Sequence, residues 1–285
     1  MNLQGPTQNR LIHLANELGV EFCNVHNEGK HIAEVCGQRS AYSGSYPIFG
    51  LLSLLDLNRL LCKVYSMSSQ LDCTDPSSHP QAVQWDSISV EEWLERECFT
   101  QVSAALCSAA VETILGFPSR ISLLFWLLFC KRGGGMLRLA EVRQGAQERL
   151  MVGGAHSLCQ KVFDRFTENV RTEFSVKVVE VEQSEGVVIV RGLKGEEMVV
   201  YKCSSLILCV PPALQTSISF VPELPKHKIT ASATQSATHI LKTFLIYKKR
   251  WWKEKGFSGR LQTQISLPKS CSSFFFVSIS LKRGC

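Results

Sequence analysis

The sequence predicts an α+β protein, and three observations carry that expectation. Apolar residues recur at three- and four-residue spacing through most of residues 6–131, the helical period. Two-residue alternation takes over between residues 176 and 202, the strand period. Short turns rich in Gly, Ser and Lys join those later segments, so they form a meander attached to a single helix.

Taken in order, Pro6 and Thr7 precede a helix on which Leu11, Leu14, Ala15 and Leu18 share a face, and Gly19 is its stop signal. Two strands are expected at 20–25 and 31–36, paired through the turn chemistry of Asn27-Glu28-Gly29. Residues 48–66 read as a helix apolar nearly all round, and 68–80 as a loop rich in Ser, Asp and Pro. Ser89 followed three residues on by Glu92 is a capping box, with Val90, Trp93 and Leu94 on the apolar face of its helix. Helices over 99–116 and 119–131 follow, the second stopped by Gly133-Gly134-Gly135. A short strand at 147–152 leads through Gly153-Gly154 into a helix over 156–166. Strands are expected at 176–182, 187–191 and 198–202, then a fully apolar strand at 205–210 and a last one at 239–247. Residues 266–280 are rich in Ser and Phe and show no clean period.

The composition is that of an ordinary globular chain: 285 residues, 45% apolar, 20% charged, net charge +6. A nucleic-acid binder would carry a stronger basic stripe, so no nucleic-acid partner is expected. Lys248, Lys249, Arg250, Lys253 and Lys255 do cluster; the cluster reads as a solvated loop, and its other reading is a phosphate or acidic-surface site. Twelve cysteines are scattered without C-x-x-C pairs and no signal peptide opens the chain, which points to reduced thiols facing cytosol. No Cys/His quartet has ligand spacing, so no metal is expected. The longest apolar run, 121–130, is about half of what a bilayer span needs, so no transmembrane segment is expected either.

No G-x-G-x-x-G, P-loop, H-E-x-x-H or G-x-S-x-G occurs. Gly153-Gly154 sits between a strand and a helix, where backbone amides can approach an anion or a cofactor; a plain tight turn is the alternative. Lys242 stands mid-strand among apolar neighbours. Such a lysine either alternates out to solvent or is a buried functional amine with a partner.

An ordered set of segments resembles the flavin-containing amine oxidases, in the animal monoamine oxidase branch. It comprises Gly5-Pro6-Thr7-Gln8-Asn9-Arg10, Ile121-Ser122-Leu123-Leu124-Phe125-Trp126, Gly133-Gly134-Gly135, and Gly145 through Gly154. Val210-Pro211-Pro212, the Pro-x-Leu-Pro of residues 222–225, and Lys242 through Trp251-Trp252 complete it, over roughly residues 5–259. The resemblance implies FAD as cofactor, with a small-molecule amine and dioxygen as substrates. The amine is oxidised to an imine by hydride-equivalent transfer to the flavin; water then releases aldehyde and ammonia, and dioxygen reoxidises the flavin to give peroxide. It further implies that Lys242 holds a water beside the flavin, that Gln147, Leu139 and Ala140 line the amine cavity, and that Val176 meets the adenine end of FAD through its backbone. Gly153 and Gly154 fall near that same cofactor edge. Intact relatives are expected at the mitochondrial outer membrane, facing cytosol, as possible homodimers.

The resemblance also divides the chain. Residues 5–146 match a mainly helical part of a substrate domain, 147–212 part of a Rossmann-like FAD-binding domain, and 213–259 a return to the substrate-domain sheet. Residues 260–285 read as an unrelated tail. The phosphate loop, the flavin-linking cysteine, the paired cavity tyrosines and the membrane anchor of the family have no counterpart here. The expectation is therefore an inactive, cytoplasmic fragment that does not hold FAD by itself. A non-catalytic truncated isoform acting as an interaction protein, and a polyamine or L-amino-acid oxidase relative, are the other readings.

Overall fold

A computed structural model describes residues 3–4, 8–235, 247–266 and 272–278. The chain divides into two compact units, Met1–Arg165 with Leu241–Cys285, and Phe166–Ile240. This boundary falls later than the 146/147 boundary expected from the family pattern. In chain order the first unit begins with β1 (Leu3–Gln4), α1 (Asn9–Glu17), β2 (Phe22–Asn24), β3 (Lys30–Val35) and β4 (Gln38–Tyr42). The helices α2 (Leu51–Ser69), α3 (Ala82–Asp86), α4 (Val90–Glu97), α5 (Gln101–Ile114), α6 (Leu123–Gly133) and α7 (Met136–Ala140) follow. Next come β5 (Arg149–Met151) and α8 (Ala155–Phe163). The second unit holds β6 (Val176–Ser184), β7 (Val187–Lys194), β8 (Glu197–Cys203), α9 (Pro212–Gln215), β9 (Ser219–Val221) and α10 (Lys226–Thr234). The chain then returns to the first unit with α11 (Trp251–Glu254), β10 (Phe257–Ser266) and β11 (Ser272–Ser278).

The main core lies among α2, α4, α5 and α6. Leu60, Val90, Val111, Leu123, Leu127 and Cys130 are nearly inaccessible there, and Trp93 meets Trp126 edge-on at 5.7 Å. Burying side chains of this size stabilises by about 1.5–3 kcal/mol each, which is why short helices hold together here. Capping fixes where they start. Ser89 Oγ accepts from the Glu92 amide at 3.1 Å, while the Ser89 amide donates to Glu92 Oε2 at 2.7 Å, so the expected capping box is present. Ser122 caps α6 in the same manner, accepting from the Phe125 amide at 3.2 Å. The two cap segments are tied together, since the Val90 amide donates to Ile121 O and the Leu123 amide to Ile88 O. At the other end of α6, Gly134 adopts the left-handed conformation of a helix stop, as the glycine run led one to expect.

The strands at 20–25 and 31–36 do not pair with each other, which corrects the expected hairpin. β2 pairs antiparallel with β5 in a three-stranded sheet of order β1-β5-β2. β3 instead pairs with β4 across the two-residue turn Cys36-Gly37. Both turn residues have positive φ, the geometry that matches strand twist in a hairpin. A cysteine at the first of these positions hides the turn from pattern reading. Gly29 is not a hairpin turn either. A Cβ there would lie 2.7 Å from the Phe257 carbonyl carbon, so glycine is what lets the chain pass residues 256–258. The contact starts the parallel pairing of β10 with β3, in a second sheet of order β11-β10-β3-β4. The aperiodic tail thus continues a sheet, with β10 and β11 antiparallel from Arg260↔Ser278 to Ser266↔Ser272.

In the second unit the expected meander forms, with order β8-β7-β6-β9 and Val181, Val188, Val190 and Ile218 in its core. The strand expected over 205–210 is absent, and Ile207 is 87% exposed. An apolar segment becomes a strand only when neighbouring chain takes its N–H and C=O groups, and no described strand pairs with it, although Leu208 and Val210 pack on the core of the meander. The strand expected over 239–247 lies outside the described residues, Tyr247 excepted.

Candidate functional site

The residues of interest start where α6 ends. Leu139 of α7 packs against the bare backbone of Gly133, where an added Cβ would lie 2.5 Å from Leu139 Cδ2. Beyond α7 the chain folds back on itself. The Ala146 amide donates to Arg138 O at 2.9 Å and the Gln147 amide to Glu141 O at 3.0 Å. Gln147 Nε2 donates to Leu139 O at 3.1 Å. Gly145 permits the fold, since a Cβ there would lie 2.2 Å from Glu141 O. The Gln144 amide donates to Glu148 Oε1 at 3.1 Å, and Val25 donates to Glu148 O, tying the loop to the strand beside it. Leu139, Ala140 and Gln147, singled out from the sequence, are therefore joined in one closed loop. One amide proton of Gln147 is spent on Leu139. Its side-chain carbonyl Oε1 has no donor among the described residues, which leaves an acceptor suited to an N–H group.

Gly153 and Gly154 follow β5 with φ of +80° and +81°, and a Cβ on Gly154 would meet nothing within 4 Å. The backbone ahead of α8 is thus open to approach. An open glycine turn at a helix start fits the edge of a cofactor; it does not amount to a pyrophosphate loop, because the sequence has no G-x-G-x-x-G. Beside the same turn, a shallow groove of about 200 Å³ is lined by Gly19, Val20, Glu21, Val152, Ser157 and Lys161. Lys161 is occupied with Leu18 O and Gly19 O at 3.2 and 3.0 Å, capping the end of α1. Val176 opens β6 in the second unit, its Cγ1 over Gly192, where a Cβ would lie 2.6 Å away. Lys242 lies outside the described residues.

Sequence reasoning missed a buried polar cluster on the sheet that carries β3, β4 and β10. His31 is 4% exposed, its Nδ1 sits 2.6 Å from Ser258 Oγ, and its ring lies 5.3 Å from that of Tyr42. Burial, and then the nearby Arg260, hold the His31 pKa below its ordinary value. Burial pushes the Tyr42 hydroxyl up; Arg260 opposes this and Glu141 adds to it. Glu141 belongs to the Gln147 loop, so this cluster and the loop share one electrostatic neighbourhood. Recognising Cys36-Gly37 as a turn would have placed His31 opposite Tyr42, since the two are register partners.

The model of the family described as flavin containing amine oxidoreductase matches residues 1–281. The chain belongs to this family. The match runs past Gly259, through the tail that the sequence pattern had set apart. Amine oxidase [flavin-containing] A of Canis lupus familiaris is 29% identical over 257 residues, covering 90% of this chain and 48% of the relative. Amine oxidase [flavin-containing] B of Sus scrofa is 30% identical over 259 residues, covering 90% and 49%. The chain thus spans about half the length of the curated relatives it matches. Among solved structures, putrescine oxidase with putrescine bound shares the fold with a TM-score of 0.81 at 21% identity, over 98% of this chain and 64% of that one. Cyclohexylamine oxidase from Brevibacterium oxydans IH-35A does so with 0.79 at 20%, over 98% and 63%. Membership makes the chain an oxidoreductase by family, one whose members carry a flavin. Among the described residues no helix is long and apolar enough to cross a membrane.

Proposed function

We propose that this chain forms the amine-facing wall of an FAD-dependent oxidase of small amines, and that it does not complete that enzyme by itself. The observation that carries the reading is the closed loop that joins Gln147 to Leu139 and Ala140 in a family member. In this reading the Gln147 carbonyl accepts a hydrogen bond from the substrate amine, and Leu139 and Ala140 supply an apolar wall that keeps water from its α-carbon. Bound FAD supplies the two-electron sink, with dioxygen as the final acceptor. The Gly153-Gly154 turn lies at an edge of that cofactor, and the Val176 backbone at its adenine end. Lys242 carries over as the residue that positions a water near the flavin. The division into a substrate part (5–146 and 213–259) and a cofactor part (147–212) belongs to the same proposal.

Two measurements test it. In a chimera where this chain replaces the matching 257 residues of the dog enzyme, Gln147→Leu is expected to raise the amine KM about tenfold, the worth of one hydrogen bond. The kcat should change little. Unaltered KM would remove Gln147 from the amine site. The 285-residue chain alone, mixed with FAD and passed through gel filtration, should emerge without flavin absorbance, because it lacks the phosphate loop. A stoichiometric yellow complex would show that the chain is sufficient for the cofactor.

A further inference from the structure

We propose that residues 247–255 form a docking surface for an anionic phospholipid bilayer. The proposal is independent of amine oxidation. The segment carries five cations, Lys248, Lys249, Arg250, Lys253 and Lys255, against the single carboxylate of Glu254. The four lysines are exposed and Arg250 is half-buried. Among the described residues none of the five makes an ion pair with a carboxylate. A cluster of this size with no internal neutralisation leaves a positive potential seeking an external anion. Its effect is felt locally. His26 is held below its ordinary pKa first by burial and then by Lys253, with Arg250 adding to it, although Glu28 pulls the other way.

Three aromatic rings, Tyr247, Trp251 and Trp252, pack against one another in the same segment. Trp252 is 3% exposed and anchors α11 in the first unit. Trp251 is 45% exposed, with Trp252 at 5.7 Å and Tyr247 at 6.5 Å, both nearly perpendicular to it. Lys255 Nζ stands 6.0 Å from the centroid of the Trp251 ring. Single-stranded nucleic acid needs an open aromatic face on which a base can stack. Here the rings meet edge to face and a lysine lies over the exposed indole. A half-exposed indole with Lys255 over it and further lysines along the same short segment is instead the chemistry of the headgroup layer, where the ring takes the interface and the ammonium groups reach the phosphates.

Flotation of the full chain with vesicles tests the assignment. Vesicles of mixed phosphatidylcholine and phosphatidylserine should carry the protein upward, vesicles of phosphatidylcholine alone should not, and raised salt should release it. The triple variant Lys248→Gln, Lys249→Gln, Lys253→Gln changes only exposed side chains and should weaken binding on the order of 100-fold, as three basic contacts are lost. The matching triple change to arginine should retain binding, and Trp251→Ala should weaken it with the charge intact. Equal flotation with neutral vesicles, or full retention by the glutamine variant, would overturn the proposal. So would tighter binding to a fluorescent oligonucleotide than to the anionic vesicles, which would assign the surface to nucleic acid.

Discussion

Replacing Asp56 with alanine is expected to destabilise the helical core by about 3 kcal/mol, the scale set by removing one partner of a buried charge pair. Asp56 sits on α2 with its side chain 2% exposed. Its Oδ2 accepts from the Phe99 and Thr100 amides at 2.9 Å each and from Thr100 Oγ1 at 3.2 Å, so one carboxylate serves the start of α5. Its Oδ1 accepts from Arg59 at 3.0 Å, and Arg59 in turn reaches Glu97 and lies 4.1 Å over the Phe99 ring. Alanine would orphan two amides at a helix N-terminus and leave the half-buried Arg59 guanidinium with Glu97 as its remaining carboxylate. Burial by itself pushes the Asp56 pKa upward, and the bonds from Arg59, Thr100, Phe99 and Ser103 outweigh it, so the folded value lies below the ordinary 3.8. For a depressed carboxylate the sign is fixed. The stability it contributes is complete above pH 3.8 and is lost as pH falls through the lower folded value. Urea unfolding of the wild type and of Asp56→Asn should therefore converge in acid and differ most at neutral pH. A constant difference at every pH would mean that the carboxylate's charge plays no part.

The second large effect is expected at Gly145. Its φ is unremarkable, yet a Cβ would come within 2.2 Å of Glu141 O and 2.5 Å of Glu141 Cβ. Backbone cannot swing aside as a flexible side chain can, so Gly145→Ala should force the loop open. The bonds from Ala146 to Arg138 and from Gln147 to Glu141 and Leu139 close that loop. Their loss should cost about 2–3 kcal/mol. The change should also displace Gln147, raising the amine KM of the chimera at least as far as Gln147→Leu does. Gly186→Ala is the control. It has φ +75° in the β6–β7 turn with nothing within 4 Å of its Cβ, so it should cost about 1 kcal/mol in backbone strain and leave KM alone. Equal KM effects from the two alanines would show that the clash at Gly145 does not act on the amine site.

Much of the local structure was legible because short-range chemistry dictates it. Ser89 and Glu92 are three residues apart and satisfy each other wherever that helix lies. The glycine run closes α6 through backbone conformation alone, and the alternation of residues 176–202 fixes which side chains enter the core of the meander. The pairing of β2 with β5, and of β3 with β10, was not legible, since each joins segments separated by more than a hundred residues. No periodicity within either strand names its partner. The Gln147 loop was only half legible. Family likeness pointed to Leu139, Ala140 and Gln147 one at a time, whereas their closure around Gly145 is a matter of contact distances.

The sequence by itself determined the α+β class, the start of α4, the stop of α6, the meander and the family, because period, capping and ordered motifs are all written within short stretches of chain. Only the tertiary structure decided which strands pair, that the Ser/Phe-rich tail continues a sheet, and that residues 205–210 stay out of one. It alone brought His31 against Ser258 and Asp56 beneath α5. The physical reason is the same in each case. A backbone amide or a buried charge is satisfied by whatever partner packing brings near, and that partner is chosen by the fold as a whole.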